Sequence, residues 1–213
     1  MSFDLQKECA AIADESYSKK LMRPTPPLLI LNRGLPGSGK NTLAYQIWLS
    51  IIPAKRIETN DFFYKPAPVG KVFEFDKVKL TEYHARCLTK ALCLLADGIS
   101  VIVSNSFIMR WEMQRYINIG TDLGAKCIII NNRAQFSSPH FTETEEKMQA
   151  MRAKWQEVLP DGRVSAILDY NASQHKAEHF ISHLHKVIKQ ETTPARPAAQ
   201  ESGNQLAWSK SKE

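Results

Sequence analysis

The chain has 213 residues, of which 43% are hydrophobic, a length that suits one well-packed domain and is short for two. Its 28 Lys and Arg residues against 22 Asp and Glu residues give a formal net charge of +6, but the basic residues are scattered, so this charge permits a nucleic-acid partner without indicating one. No apolar run approaches the ~18 residues of a membrane span, and the N-terminal segment lacks the apolar centre of a signal peptide. We therefore expect a soluble, cytoplasmic protein with no membrane partner.

The four cysteines, at positions 9, 87, 93 and 127, include no C-x-x-C pair. Scattered cysteines are not typical of a disulfide framework or a zinc ribbon, and they predict a reducing, intracellular setting. Cys87 and Cys93 fall on a predicted helix without a nearby base, so neither is expected to act as a nucleophile.

Hydrophobic periodicity predicts strands that alternate with helices. Continuous apolar runs are typical of buried strands, and apolar residues that recur every three or four positions are typical of helices. In chain order, the predicted elements are a helix at 3–21, a strand at 28–32, a helix at 42–52, a strand at 56–59, a loop at 64–76, a helix at 80–96, a strand at 99–103, a helix at 110–123, a strand at 126–130, and helices at 142–157 and 173–190. This alternation predicts an α/β fold whose parallel sheet is covered by helices on both faces.

The same pattern divides the chain into three segments. Residues 1–27 are predicted to form an N-terminal helical extension that ends in a group of prolines. Residues 28–190 form the α/β domain. Residues 191–213 contain no face that could be buried, so we expect a disordered tail.

A glycine-rich segment follows the first predicted strand. Residues 28–43 read LLILNRGLPGSGKNTL, which places a G-x-x-x-x-G-K pattern between a strand and a helix. Glycines let backbone N–H groups turn toward phosphate oxygens, the start of the helix adds the positive end of its dipole, and the lysine adds a charge. The alternative is a glycine-rich turn with an incidental lysine. The residues predicted to bind the phosphates of a nucleoside triphosphate are Gly34, Gly37, Ser38, Gly39, Lys40, Asn41 and Thr42.

Three motifs together resemble a known family. RGLPGSGK at 33–40, ETNDFFY at 58–64 and VIVSNSFIMRWEM at 101–113 are similar to the P-loop kinases related to polynucleotide 5′-hydroxyl kinase, and by letters to the subgroup of Nedd-binding-protein-like ATPases. The resemblance implies a P-loop NTPase fold of the adenylate-kinase-like kind, with three layers, a parallel sheet and a helical lid. It also implies ATP, Mg²⁺ and transfer of the γ-phosphoryl group to a hydroxyl, such as the 5′-hydroxyl end of a nucleic acid.

Three positions depart from the pattern of this family. Asn41 stands where a serine or threonine binds Mg²⁺, and its amide oxygen makes it the one predicted metal ligand. Asn60 stands at the first of two paired aspartates, where the resemblance implies the carboxylate that accepts a proton from the attacking hydroxyl. Ser104 stands where it implies an aspartate that holds magnesium through water, and Phe107 replaces the last polar residue of that motif.

Two residues are the candidates for catalysis. Asp61, next to Asn60, serves as the base if the register of the loop shifts by one residue; the alternative is a carboxylate that caps or braces a loop. Arg152, on the predicted lid helix, is the candidate that closes over the transferring phosphate; the alternative is a solvated, charged helix face. Thr142 and Glu145 predict a capping box at the start of that helix.

Four histidines suggest two further kinds of site, a zinc site and a phosphodiesterase motif. His175, His179 and His183 share one face of the last predicted helix, but no cysteine or carboxylate completes a zinc-binding set, so they are interpreted as residues beside the core face. His140 and Thr142 fit one H-x-T element of the cyclic phosphodiesterases. A second element is absent from the sequence, so this function is rejected.

These observations leave two hypotheses open. The first is an ATP-binding kinase in which the 37–42 backbone and Lys40 hold the triphosphate, Asp61 is the base and Arg152 closes the site. The second is a catalytically impaired nucleotide-binding protein that acts through protein or nucleic-acid partners. Losing carboxylates and a metal ligand should slow phosphoryl transfer much more than nucleotide binding, which keeps the second hypothesis open.

Overall fold

The computed structural model describes residues 26–51, 53–134, 136, 144–159 and 161–192. The helix predicted at 3–21 and the H-x-T element lie outside these residues, as does the chain after Thr192. The last helix continues to Thr192, two residues beyond its predicted end at residue 190. The three predicted segments otherwise stay predictions.

The described chain alternates strands with helices along most of its length. The strands are β1 (Leu28–Gly34), β2 (Ala54–Ile57), β3 (Tyr64–Pro66), β4 (Lys71–Phe73), β5 (Ser100–Asn105), β6 (Lys126–Asn132) and β7 (Ala166–Tyr170). The α-helices are α1 (Lys40–Ser50), α2 (Leu80–Ala96), α3 (Arg110–Asp122), α4 (Glu145–Lys154) and α5 (Ala177–Thr192), and two short 3₁₀ helices are Thr59–Phe63 and Lys77–Lys79. Within the described part of the chain, no helix combines the length and the apolar character that crossing a membrane requires.

Five strands form one parallel sheet in the order β2-β5-β1-β6-β7. The central strand β1 pairs with β5 on one side and with β6 on the other, so that Leu29 lies between Val101 and Cys127. The chain therefore builds first one half of the sheet and then the other. The strand order thus reverses at β1. Such a reversal opens a crevice at the carboxyl ends of the strands, where ligands of α/β proteins bind. The β3 and β4 strands form a separate antiparallel hairpin.

Helices cover both faces of the sheet and complete three layers. Along β1, Leu29 and Leu31 pack into a core beneath α2 and α3, whereas Leu28 and Ile30 pack into a second core beneath α1 and α5. Successive residues of a strand point to opposite faces, so a strand buried on both sides needs a continuous apolar run. The run of four apolar residues at the start of β1 meets this need.

The α3 helix approaches β1 closely at Gly120. A Cβ atom at this position would lie 2.8 Å from Cδ2 of Leu29. Leu29 is fully buried in the centre of the sheet. Because the interior is close-packed, this contact leaves no room for a side chain on α3 at this point.

The predicted α/β fold with a parallel sheet is confirmed, and the helix predicted at 80–96 coincides with α2. The other elements predicted from residue 28 onward are present with shifted ends. Two features were not predicted. The β3–β4 hairpin lies inside the segment predicted as a loop. It was not predicted because its residues are exposed and show no apolar alternation. The β7 strand is a half-exposed edge strand that carries an aspartate, so it lacks the apolar run of the inner strands.

The cysteines differ in their state. Cys87 and Cys127 are buried free thiols, and burial raises the pKa of both. Cys93 is disulfide-bonded. The sequence did not predict a disulfide at Cys93, and the reducing, intracellular setting stays a prediction.

Candidate functional site

A glycine-rich loop joins β1 to α1 at the carboxyl edge of the sheet. Gly37 and Gly39 both have a φ of 77°, a left-handed conformation that glycine adopts without strain. Gly39 is the N-cap of α1, where no side chain accepts a hydrogen bond and no acidic residue lies in the first turn. No described side chain therefore accepts from the first backbone N–H groups of α1, an arrangement that favours a bound anion.

The loop packs tightly around Gly34. A Cβ atom at Gly34 would overlap the hydroxyl of Ser38 and would lie 2.9 Å from Cβ of Asn132. Ser38 is 1% exposed, and its hydroxyl forms no hydrogen bond with any described residue. A buried hydroxyl without a partner costs free energy, so this group is suited to a ligand that supplies an acceptor.

Lys40 is the first residue of α1. Its Nζ lies 3.5 Å from the carbonyl oxygen of Leu35. Burial lowers the pKa of Lys40, and the negative charge of Glu58 opposes this effect. No ion pair joins Lys40 to a carboxylate among the residues that the structure describes. Its charge is therefore open to a phosphate.

A row of neutral side chains crosses the ends of the three central strands. Asn132, at the end of β6, donates through Nδ2 to Oδ1 of Asn32 in β1. Nδ2 of Asn32 donates to the Ser104 hydroxyl in β5 at 3.2 Å and to the Lys40 carbonyl oxygen at 2.6 Å. The Ser104 hydroxyl donates to Oδ1 of Asn41 in α1 at 3.0 Å. This row ties the loop to the sheet without any charged group.

Two positions that depart from the family pattern are thus in direct contact. In the resembling kinases, the residues at positions 41 and 104 are implied to serve the same Mg²⁺ ion. Here Oδ1 of Asn41 already accepts a hydrogen bond, and Ser104 is neutral. Protein-bound Mg²⁺ requires octahedral oxygen geometry and is held through one or two carboxylates together with substrate phosphates. The residues present do not fit this ion, so the structure gives no support to Asn41 as its ligand.

A buried carboxylate that the sequence did not predict lies at the end of β2. Glu58 is 8% exposed, and its Oε1 accepts a hydrogen bond from Nη1 of Arg56 at 3.1 Å. Burial and repulsion from Asp61 raise the pKa of Glu58, whereas Arg56 and Lys40 lower it. Glu58 is therefore the acidic group that interacts with the charge of Lys40. The sequence offered only the glutamate that opens the ETNDFFY motif.

Asp61 takes part in local structure. Its Oδ2 accepts a hydrogen bond from the backbone N–H of Glu58 at 2.9 Å, and its Oδ1 lies 3.9 Å from Nη2 of Arg56. The Glu58 side chain in turn accepts from the Asp61 backbone N–H, which completes a capping box around the 3₁₀ helix. These contacts favour the alternative of a loop-bracing carboxylate. A role of Asp61 as the catalytic base stays a prediction.

The turn after β5 serves the fold. Asn105 is buried, and its Oδ1 accepts a hydrogen bond from the backbone N–H of Thr59 at 2.9 Å, which joins the ends of β5 and β2. Phe107 has a φ of 45° and is 4% exposed. Its ring packs edge-to-face on Tyr116 at 5.4 Å. The apolar residue at this position therefore belongs to the core rather than to a ligand site.

Arg33, the first residue of RGLPGSGK, anchors the segment that follows α4. Its guanidinium is fully buried, stacks 3.7 Å from the centre of the Trp155 ring and donates to the Gln156 carbonyl oxygen at 3.0 Å. Burial lowers the pKa of Arg33 to about 10. Arg133 lies 5.7 Å from the centre of the same ring and forms two hydrogen bonds of 2.8 Å with the Glu157 carboxylate. This arrangement holds the end of α4 against the sheet, and the sequence did not predict it.

Arg152 lies on α4, which follows Thr144 as its N-cap. The Thr144 hydroxyl accepts a hydrogen bond from the Lys147 backbone N–H, so the capping residue is Thr144 rather than the predicted Thr142, which lies outside the described residues. Nη1 of Arg152 donates to Oε1 of Glu145 at 2.8 Å. This exposed ion pair is typical of a solvated helix face. Closure of Arg152 over a phosphate stays a prediction.

The histidines of α5 contribute to helix packing at one point. Nε2 of His185 lies 3.2 Å from the hydroxyl of Ser50, which connects α5 to α1. Across the described ranges, no three His, Cys, Asp or Glu side chains are placed to hold a metal ion.

The strand order, the glycine loop after the first strand and the helices on both faces define a P-loop kinase-like α/β fold. A sugar kinase from Janibacter sp. HTCC2649 superimposes with a TM-score of 0.54 at 16% identity, covering 77% of this chain and 95% of that one. Kti12 from Chaetomium thermophilum, solved with ADP-AlF3, gives a TM-score of 0.56 at 12% identity, covering 76% and 99%. At these identities, the likeness shows a shared fold.

The chain belongs to the AAA domain family (AAA_33), whose model matches residues 29–135. That match runs from β1 through the loop and α1 to the segment after β6. The chain is also 33% identical over 91 residues to NEDD4-binding protein 2 of Homo sapiens, a match that covers 42% of this chain and 5% of that protein. The chain thus spans a small part of the length of this relative. The narrower relation to polynucleotide 5′-hydroxyl kinase stays a prediction.

Proposed function

We propose that the chain binds the phosphates of a nucleoside triphosphate, ATP in the first instance, at residues 34–42, and that its phosphoryl-transfer chemistry is impaired. The uncapped start of α1, whose first turn has no acidic residue, carries this proposal. Two further groups lie on the same loop: the Ser38 hydroxyl, which has no hydrogen-bond partner among the described residues, and the Lys40 ammonium, whose pKa is lowered by burial. N–H donors, a hydroxyl and a lysine are the groups with which glycine loops bind phosphate.

The impairment is inferred from three neutral side chains at positions where carboxylates or metal ligands are needed. Asn41 and Ser104 satisfy each other by a hydrogen bond. Asn60 is an exposed amide that cannot accept a proton from an attacking hydroxyl. Phosphoryl transfer depends on charge neutralisation and positioning, so these changes affect catalysis more than binding. Such a protein acts through a nucleotide-dependent contact with a protein or nucleic-acid partner.

Calorimetric titration of the full chain with a non-hydrolysable ATP analogue tests the binding. We expect a saturable signal, and we expect Lys40→Ala to weaken binding by at least about tenfold, because one charge-assisted contact is lost. The matched control is Lys126→Ala, which removes a lysine at the amino end of β6, on the opposite edge of the sheet. Its affinity should equal that of the wild type. No saturable binding by the wild-type chain overturns the proposal.

A kinase that transfers the γ-phosphoryl group to a hydroxyl is the second candidate. The observation that favours it is the buried Glu58 carboxylate, which interacts with Lys40. Glu58 precedes by two residues Asn60, where the resemblance implies an aspartate. In this candidate, Asp61 or Glu58 accepts the proton and Arg152 closes over the phosphate. A 5′-hydroxyl oligonucleotide is then one acceptor to supply.

ATP turnover with hydroxyl acceptors separates the two candidates. Impairment predicts a very low rate that the double variant Asn41→Ser/Asn60→Asp raises by about a hundredfold or more, the size of a typical acid–base contribution. A substantial wild-type rate that Glu58→Gln or Asp61→Ala abolishes supports the kinase instead.

A further inference from the structure

We propose that the loop binds its nucleotide without Mg²⁺, because the Asn41–Ser104 hydrogen bond stands in the place of metal ligation. This inference rests on the proposed phosphate binding at residues 34–42. It concerns the ligand form, which is the free triphosphate rather than its magnesium complex.

The first support is the connectivity of the neutral row. The two side chains at the positions implied to serve the metal already bind each other, since Asn32 donates to Ser104 and Ser104 donates to Asn41. Within the described part of the row, Oδ1 of Asn132 has no partner, and it too is a neutral oxygen. A metal ion at this position would have to break the Ser104–Asn41 hydrogen bond. It would gain only neutral oxygens in return, which are weak ligands for a strongly hydrated cation.

The second support is the distribution of carboxylates along the carboxyl edge of the sheet. The last two residues of each central strand, β1, β5 and β6, include no acidic side chain, and Arg33 is the one charged residue among them. Among the described residues near this edge, acidic side chains lie beside the two outer strands, as Glu58 and Asp61 after β2 and Asp169 in β7. Arginines already pair with them, Arg56 with Glu58 and Asp61, and Arg133 with Asp169.

The third support concerns the charge balance of the loop. The anion would meet the N–H groups at the start of α1 and the charge of Lys40, and these groups need no metal to act. A magnesium complex has lost part of its negative charge to the ion. It would therefore interact less strongly with Lys40, and the central strands of the described chain would offer it no carboxylate at their ends. Affinity for the free nucleotide should equal or exceed that for the complex.

The test is calorimetric titration of the full chain with the ATP analogue in excess EDTA and in excess MgCl₂. We expect dissociation constants that agree within about threefold, or tighter binding in EDTA. Binding that appears only in MgCl₂, or that is at least about tenfold tighter there, overturns the inference while leaving phosphate binding intact. No binding under either condition overturns the proposed function and this inference with it.

A variant designed to make nucleotide binding depend on Mg²⁺ gives a second measurement. Asn41→Ser/Ser104→Asp restores a hydroxyl and a carboxylate to the two positions. We expect weaker binding in EDTA, because the new carboxylate repels phosphate, and at least tenfold tighter binding in MgCl₂ than in EDTA, about one unit in the logarithm of the affinity. Equal affinity of this variant in both solutions contradicts the inference.

The matched control is Ser182→Asp, which adds the same charge at an exposed position of α5. It should retain the metal independence of the wild type. Circular dichroism melting of both variants checks folding, and the two wild-type titrations decide the question even if the double variant does not fold.

Discussion

Lys40 illustrates, for a single residue, how a binding group lowers the stability of the protein without its ligand. Burial lowers the pKa of Lys40, so the folded state disfavours the charged side chain relative to the unfolded chain. We therefore expect Lys40→Met to raise the free energy of unfolding of the ligand-free protein by about 1 kcal/mol near neutral pH, a typical gain when a functional group is replaced. Urea unfolding of both proteins measures the difference.

The stability gain of Lys40→Met should depend on pH. As the pH rises from the folded-state pKa of Lys40 toward 10.5, the folded protein releases the lysine proton before the unfolded chain does. The wild type thus becomes more stable relative to the variant, and the gain shrinks. Lys126→Met, at the other edge of the sheet, provides the control. A variant that is less stable than the wild type at neutral pH would show that the lysine stabilises the loop.

The loop itself could be predicted from sequence because its glycines, lysine and flanking apolar run are contiguous. The contact between Asn41 and Ser104 could not, since it joins residues 63 positions apart and depends on the register of β1 against β5. Glu58 was missed for a related reason. Its significance comes from burial by other elements, and sequence spacing carries no record of that burial.

The α3 helix approaches the central strand of the sheet too closely at Gly120 to accommodate a side chain. A Cβ atom at Gly120 would lie 2.8 Å from Leu29, and the central strand cannot yield without moving its neighbours. We expect Gly120→Ala to lower the free energy of unfolding by about 1–3 kcal/mol, the usual cost of overpacking. Thermal and urea unfolding provide the measurement.

Gly162→Ala is the matched control for this substitution. A Cβ atom at Gly162 would meet no atom within 4 Å, so its stability should change by less than about 0.5 kcal/mol. If Gly120→Ala is as stable as this control, the helix has freedom to move away from β1 that the packing does not suggest.

The elements differed in how well sequence could foresee them. The inner strands β1, β5 and β6 are apolar on both faces, and α2 has a clear apolar stripe, so each has a strong periodic signal. The edge strand β7 pairs on one side only and exposes its aspartate to solvent. It therefore lacks the continuous apolar run that identifies the inner strands. The hairpin is held by its own pairing and by aromatic contacts, which alternation of apolar residues does not report.

For the molecule as a whole, Cys127 reports on cooperative opening. This thiol lies in β6 within the core that the central sheet shares with α2 and α3, and burial raises its pKa to about 12. Only the thiolate reacts readily with iodoacetamide. We expect alkylation of Cys127 to be at least about a hundredfold slower in the native protein than in urea, since it requires opening of the core.

Peptide mapping by mass spectrometry follows Cys127 separately from the other cysteines. The rate should rise steeply across the urea range in which the protein unfolds, together with loss of helical circular dichroism. Fast alkylation in native buffer would mean that β6 opens locally, and the sheet would then not behave as one unit.

The central position of β1 has a consequence for the synthesis of this chain. Its two partners, residues 100–105 and 126–132, emerge from the ribosome long after the strand itself. The first partner is complete about 70 residues after β1, which at about 5–20 residues per second takes about 4 to 14 seconds. Until then, both edges of this apolar strand are open to pairing with neighbouring nascent chains, and one edge stays open until β6 has also emerged. The strand order that places the phosphate loop at the centre of the folded sheet therefore makes the nascent chain prone to aggregation. Slower translation lengthens the time for which the edges of β1 are exposed.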